Sequence, residues 1–162
     1  EPSPANFFAL LKNVEINKTY NILALPIGLS NHNGMTVWNP CSDIAYADNQ
    51  IVEKLVTEKT NVGLMVRTID SLIFDDSLPP PTHIKIDVDG IERLILLGGE
   101  ETLKSKSLKF IQVEVDESDD SALEITEYLM NLGFSKPVMR HPPYYNKYYY
   151  APQFNYFFYK NT

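Results

Sequence analysis

Apolar positions in this chain switch between spacings of about 3.6 and 2 residues, and the switches mark its elements. Phe7, Leu10, Leu11 and Val14 recur at helical spacing behind Ser3-Pro4, so residues 4–15 read as an amphipathic helix. Serine at the N-cap takes up a free backbone N–H, and proline at the first helical position has none to lose. After a break at Asn17-Lys18, Tyr20 to Leu29 is a nearly continuous apolar run, the pattern of a buried strand. Ser30 to Gly34 is a turn, and Met35 to Trp38 a short strand ended by Asn39-Pro40. Residues 40–60 fit either a helix or a strand through Ile51, Val52, Leu55 and Val56. Val62 to Ile69 reads as a strand closed by Asp70-Ser71-Leu72, and Pro79-Pro80-Pro81 as a rigid extended link.

The second half is clearer. His83 to Val88 is a strand running into a turn at Asp89-Gly90, and Ile91, Leu94, Ile95 and Leu97 make a short helix stopped by Gly98-Gly99. Phe110 to Val115 is a third strand. Ser121 and Glu124 have the spacing of a capping box. The helix behind it shows an apolar face of Ile125, Tyr128, Leu129 and Leu132, with Gly133 as its stop. Phe154 to Tyr159 is a final aromatic strand. Apolar strands alternating with amphipathic helices predict an α/β fold with a mostly parallel sheet.

Length and composition narrow the class. A chain of 162 residues suits one domain, here taken as 1–162. With 44% hydrophobic residues it is not a disordered segment. Its one cysteine, Cys41, makes neither an internal disulfide nor a cysteine-rich zinc site, which favours a reducing, cytoplasmic setting. No apolar run reaches the ~18–20 residues of a membrane helix. The formal charge of −7 argues against non-specific nucleic-acid binding. That charge is uneven. Residues 1–127 hold all 21 acids and 10 bases, whereas residues 128–162 hold four bases, no acids and eight of the ten tyrosines. Glycine, at 7 residues, is scarce, and so are glycine-rich phosphate loops.

In open α/β sheets, ligands bind beyond the carboxyl ends of the strands. That rule selects Asp87 and Asp89, then Glu114, Asp116 and Glu117, and the loop Gly28 to Asn31. Asp89 before Gly90 is equally a turn or cap residue. The acidic run from Glu114 to Asp120 is either a solvated strand-to-helix turn or a set of oxygen ligands for a hard cation. Lys85 and Asp87 lie two apart on one strand and point the same way. With helices on both sheet faces, Lys85 would be enclosed and would need Asp87 as a partner. Glu92, in the first turn of the next helix, could join them. Such a group either tunes a general base for a hydroxyl or pins strand to helix. His32, His83 and His141 show no metal-ligand or hydrolase spacing. Tyr144, Tyr145 and their neighbours either stack on a sugar or partner surface or pack over the sheet edge.

Taken in series, several segments resemble FkbM-type methyltransferases. They are Glu1 to Phe7, Leu10 to Asn13, Pro26 to Ser30, Thr68 to Leu72, and above all Ile84 to Glu92. The resemblance runs from Glu1 to about Gly133; Asp89 departs from it, standing where glutamate is usual. It implies a Rossmann-like class I methyltransferase sheet, mostly parallel, with an antiparallel excursion and an antiparallel C-terminal strand. It also implies a first strand and glycine-rich loop upstream of Glu1, so the fold is expected to be N-terminally incomplete here. Function follows as transfer of a methyl group from S-adenosylmethionine to a hydroxyl oxygen of a sugar, glycan or secondary metabolite. Glu1 is the implied acceptor for the cofactor ribose hydroxyls, and Gly28, Leu29 and Ser30 the wall beside the adenine. Asp87 is the residue nearest the methionine part and the acceptor, with Lys85 and Glu92 completing the acid–base group. Residues 35–60 and 136–153 are the variable parts expected to shape the acceptor pocket, with Asp89, Glu114, Tyr144 and Tyr145 as candidates. Metal-assisted transfer through Asp87, Asp89 and Glu114 is a second reading, although no metal is required. A degenerate glycan- or protein-binding domain is the non-enzymatic alternative. Without the upstream loop, this polypeptide is expected to bind S-adenosylmethionine weakly or not at all. Calorimetry giving micromolar affinity would overturn that expectation.

Overall fold

The structure, a computed structural model, describes residues 1–39, 50–52, 62–88, 90–118, 120–141 and 153–161. The chain divides into two compact units, Glu1–Arg67 and Thr68–Thr162. In the first, helix α1 (Pro4–Asn17) starts as its sequence demands. Ser3 is extended, and its Oγ accepts the Asn6 N–H at 3.4 Å, with Pro4 at the first helical position. Lys18, left-handed at φ 54°, ends the helix, its N–H donating to the Glu15 carbonyl. The apolar stripe is present but shallow: no α1 residue is buried, and Phe8 and Leu11 are exposed.

The first unit's sheet has the order β1-β4-β2-β3. Its members are β1 (Gly28–Leu29), β2 (Gly34–Asn39), β3 (Gln50–Val52) and β4 (Val62–Arg67). Leu64 and Val66 turn inward on β4 while Gly63 and Met65 face out, the period-2 alternation of a half-buried strand. The expected strand from Tyr20 to Leu29 is largely absent. Only Gly28 and Leu29 pair, parallel to Val66 and Arg67, and Tyr20, Ile22 and Leu23 are exposed. An apolar run becomes a buried strand only where neighbours complete its hydrogen-bond ladder. Among the described residues, only the last two residues of this run pair with a strand, β4. Between 40 and 60, Gln50–Val52 is strand and the rest lies outside the described residues.

The second unit begins with a correction. Asp70-Ser71-Leu72 does not merely close a strand: it lies inside helix α2 (Ile69–Phe74), capped by Thr68, whose Oγ1 accepts the Ser71 N–H at 3.0 Å. Then follow β5 (His83–Ile86), α3 (Glu92–Leu97), α4 (Glu100–Lys104), β6 (Phe110–Asp116), α5 (Ser121–Asn131), β7 (Val138–Arg140) and β8 (Gln153–Tyr159). The sheet order is β5-β6-β8-β7. β5 and β6 are parallel, and β8 is antiparallel to both β6 and β7. Ile111, Val113 and Val115 alternate into a core completed by Leu96, Leu103, Leu108, Ile125, Leu129, Phe134 and Phe158.

Both described sheets are therefore mixed rather than mostly parallel, with two parallel and four antiparallel pairings. Parallel neighbours need a crossover connection. Between β5 and β6, α3 and α4 supply it. The chain leaving α5 instead turns back through β7 and β8. The antiparallel excursion and the antiparallel last strand are both present.

Gly98-Gly99 is a junction rather than a simple stop. Gly98 ends α3, and α4 begins directly after Gly99, which has no side chain to cap it. Asp70 supplies the cap from 31 residues away. Its carboxylate accepts the Glu101 N–H at 3.0 Å, the Thr102 N–H at 2.8 Å and the Thr102 hydroxyl at 2.7 Å. A Cβ on Gly99 would stand 3.1 Å from Ile69, so a larger residue there obliges the Ile69 side chain to give by a few tenths of an ångström. The expected capping box at α5 does not form. The helix starts one residue earlier, at the N-cap Asp120, so Ser121 Oγ donates to the Asp116 carbonyl and Glu124 pairs with Arg93. The other end obeys its sequence. Gly133, at φ 87°, lets Gly133 N–H reach Met130 O and Phe134 N–H reach Leu129 O, with Phe134 and Leu129 both buried. Beyond β8, Lys160 donates to the carbonyls of Leu103 and Leu132, at 2.7 Å each, near the ends of α4 and α5. Burial pushes its ammonium below the ordinary lysine value. No helix among the described residues is long and apolar enough to cross a membrane.

Asp70→Ala leaves two helix N–H groups and a buried hydroxyl without their acceptor. It is expected to cost about 2 kcal/mol, read as a lower urea midpoint at unchanged slope; a loss under about 0.5 kcal/mol would contradict the cap.

Candidate functional site

Parallel pairing puts the carboxyl ends of β5 and β6 at one edge of the second unit's sheet, with Lys85 opposite Gln112 and Ile86 opposite Val113. A cavity of about 320 Å³ opens there. Val88, Gly90 and Glu92 line it from the β5–α3 connection, Glu114 and Asp116 from β6, and Gln153 from the start of β8.

Lys85 and Asp87 form the expected ion pair. Their setting differs from expectation: the side chains are 57% and 43% exposed, so Lys85 is not enclosed between helices. Ile86 is the buried neighbour on β5, and the alternation of the strand turns Lys85 the other way. Glu92 occupies a different environment. It is buried, at 8% exposure, and its Oε1 accepts the Gly90 N–H at 3.1 Å. Gly90 has φ 92°, a conformation that favours glycine. Glu92 thus holds the loop between Asp87 and α3 from within.

The acidic run divides into residues with structural partners. Asp116 Oδ1 accepts the Ser118 N–H at 2.7 Å, and its Oδ2 accepts the Gln153 amide at 3.3 Å. Glu117 accepts the Tyr156 hydroxyl, and Asp120 is the α5 N-cap. Glu114 is half-buried in the cavity lining. Asp116, Glu117 and Asp120 lie on the turn between β6 and α5. Among the described residues, no three His, Cys, Asp or Glu side chains are grouped to hold a metal ion. Asp89, Tyr144 and Tyr145 lie outside the described residues.

In the first unit, Glu1 is exposed; its Oε1 accepts the Ser3 N–H at 2.8 Å, and its backbone nitrogen donates to the Leu25 carbonyl at 3.2 Å. One hydrogen bond leaves a carboxylate ample capacity to accept hydroxyl protons. Gly28 and Ser30 are buried and Leu29 half-buried at the carboxyl end of β1, where Ser30 N–H continues the ladder to Arg67 O. Ser30 Oγ, Asn31 Oδ1 and His32 Nδ1 gather within 3.4 Å of one another. His32 therefore belongs to the turn after β1. A second, apolar cavity of about 460 Å³ lies within this unit, lined by Phe7, Phe8 and Leu11 of α1 and by Val62 and Leu64 of β4.

Gln153 and Ser121 are cavity residues that sequence reasoning did not single out. Gln153 stands opposite Asp116 through the β6–β8 register. Period-2 alternation puts Gln153 and Asn155 on one face, but only the register shows which acid they meet.

Residues 1–136 match the family model described as the methyltransferase FkbM domain. The hexuronic acid methyltransferase AglP of Haloferax volcanii is 27% identical over 141 residues. That alignment covers 86% of this chain and 55% of the relative, so the chain spans about half the relative's length. The crystal structure of methyltransferase FkbM from Methylobacillus flagellatus KT superposes with a TM-score of 0.65 at 18% identity. It covers 98% of this chain and 35% of that one, and the likeness is one of fold.

Burial and the hydrogen bond to Glu117 raise the Tyr156 hydroxyl well above the ordinary tyrosine value. Unfolded tyrosine ionises first, near pH 10, so this group's stabilisation is complete below pH 10 and is lost as the pH rises towards the raised folded value. Tyr156→Phe is expected to be less stable than the parent at pH 8, with the gap narrowing between pH 10 and 11 in denaturant titrations. A gap independent of pH would count against the Tyr156–Glu117 bond.

Proposed function

This chain belongs to the FkbM methyltransferase family, and on that premise we propose that it transfers a methyl group from S-adenosylmethionine to a hydroxyl oxygen of a sugar. The observation that carries the reading is a carboxylate, Asp87, held by Lys85 beyond the carboxyl end of a parallel strand and one residue from a cavity-lining position. The sugar class is supported by the relative named for hexuronic acid.

When bound, the cofactor supplies a methyl group already activated by its sulfonium, so the protein's work is alignment and removal of one proton. Glu1 would accept from the ribose hydroxyls, with its exposed carboxylate oriented by the Ser3 N–H. Gly28, Leu29 and Ser30 would flank the adenine. Asp87 would accept the proton of the acceptor hydroxyl, the chemistry of a general base. Lys85 holds that carboxylate in orientation. Glu92 is a positioning residue, acting through Gly90 on the loop that follows Asp87. The lone Cys41 fits a reaction in the reducing interior of a cell.

In the intact protein, Asp87→Asn keeps the shape of the side chain and removes its basicity. Turnover, measured as transfer of labelled methyl to a sugar, is expected to fall about 10²–10⁴-fold with the thermal midpoint unchanged. Unchanged turnover would return Asp87 to a structural role.

A further inference from the structure

The turn between β6 and α5 brings Asp116 and Ser121 into the cavity lining, and its own bonds give it a shape but not a place. Asp116 Oδ1 accepts the Ser118 N–H at 2.7 Å, and the Ser121 hydroxyl donates to the Asp116 carbonyl at 3.4 Å. Both of these close within the turn. Two further bonds leave it for β8, 37 and 39 residues along the chain. Gln153 donates to Asp116 Oδ2 at 3.3 Å in an exposed bond, and the Tyr156 hydroxyl donates to Glu117 Oε1 in a partly buried one. Each has an ionised acceptor and is strengthened by it, but water competes for the exposed one. Tyr156 is therefore the firmer anchor. It is itself held in the core, at 6% exposure, opposite Val113 in the ladder and with its ring 6.2 Å from that of the buried Phe158. Burial and the bond to Glu117 hold its hydroxyl above the ordinary tyrosine value, so it remains a donor at neutral pH.

Resting on the methyl-transfer reading, we propose that Tyr156 is a positioning residue for the reaction: through Glu117 it fixes the β6–α5 turn, and with it the wall of the cavity against which the sugar is aligned. Tyr156 acts from the core, on the far side of the turn from the reacting atoms. Its effect is large because alignment is steep: a displacement of about 1 Å at a reacting centre costs on the order of 10²-fold. Glu92 holds the β5–α3 loop through Gly90, so the two walls nearest Asp87 are each set by a carboxylate that accepts one hydrogen bond from behind the lining. The cofactor groups assigned to Glu1 and to Gly28, Leu29 and Ser30 lie on other elements, and Tyr156 leaves them untouched.

The test has two readouts, both taken at pH 7 and at a temperature where every variant is folded. Amide hydrogen exchange on this chain, followed by mass spectrometry, reads the anchor. In Tyr156→Phe the turn between β6 and α5 is expected to exchange about tenfold faster, with α4 unchanged. Glu117→Ala is expected to do the same, and the double variant no more than either single one, because both remove one bond. Turn exchange equal to the parent's, or additive effects, overturn the proposal. Labelled methyl transfer by the intact protein to a panel of methyl hexopyranosides reads the consequence. Tyr156→Phe is expected to lower kcat/KM for the sugar about tenfold while KM for S-adenosylmethionine stays unchanged. An unchanged kcat/KM for the sugar overturns the positioning role, and so does an equal loss towards sugar and cofactor, the mark of a general loosening. Faster turn exchange in the variant, with no transfer to any sugar by the parent, leaves the anchor standing and removes the methyl-transfer reading.

Discussion

Two parallel strands end at the same edge of a sheet, so the pairing of β5 with β6 sets Asp87 and Glu114 on a common rim. The geometry has a cost, because parallel neighbours require a crossover and every helix in it exposes backbone groups at its ends. Here the crossover is compressed into α3 and α4, joined through Gly98-Gly99 with almost no connecting chain. Asp70 satisfies the start of α4, and Lys160 takes a carbonyl near its end. Both side chains come from outside the crossover. The cavity at the rim is thus supported by long-range polar contacts as much as by its own lining.

How much of this was legible follows from the reach of each interaction. Helix α1 could be read because Ser3, Pro4 and the apolar spacing all act within a few residues, and Gly133 could be read as a stop for the same reason. The cap from Asp70 to α4 could not, since it spans 31 residues and leaves no local signature. Ser121 and Glu124 had the spacing of a capping box. A one-residue difference in where the helix begins gave both side chains other partners. Tyr20 to Leu29 had the composition of a buried strand, but a strand's burial is decided by its neighbours.

The candidate site shows the same division. The strand, the turn and the Lys85–Asp87 pair were visible from alternation, whereas the depth of each side chain was not. Lys85 proved to be exposed and Glu92 buried, the reverse of what a lysine enclosed between helices would require. The acidic stretch after β6 carried an ambiguous signal. Two of its acids meet partners on another element, Gln153 and Tyr156 on β8, which no local pattern announces.

The last strand has a consequence for the order of assembly. β8 lies between β6 and β7, and Lys160 follows it directly. Until residues 153–160 have left the ribosome, β6 has one neighbour, β7 has no partner in the sheet, and the carbonyls of Leu103 and Leu132 lack their cation. Synthesis proceeds from the amino end, so the rim and its helices are made before the strand that locks them. The second unit therefore closes around residues 153–160 only after its rim and helices have been made, even though the family match ends at residue 136.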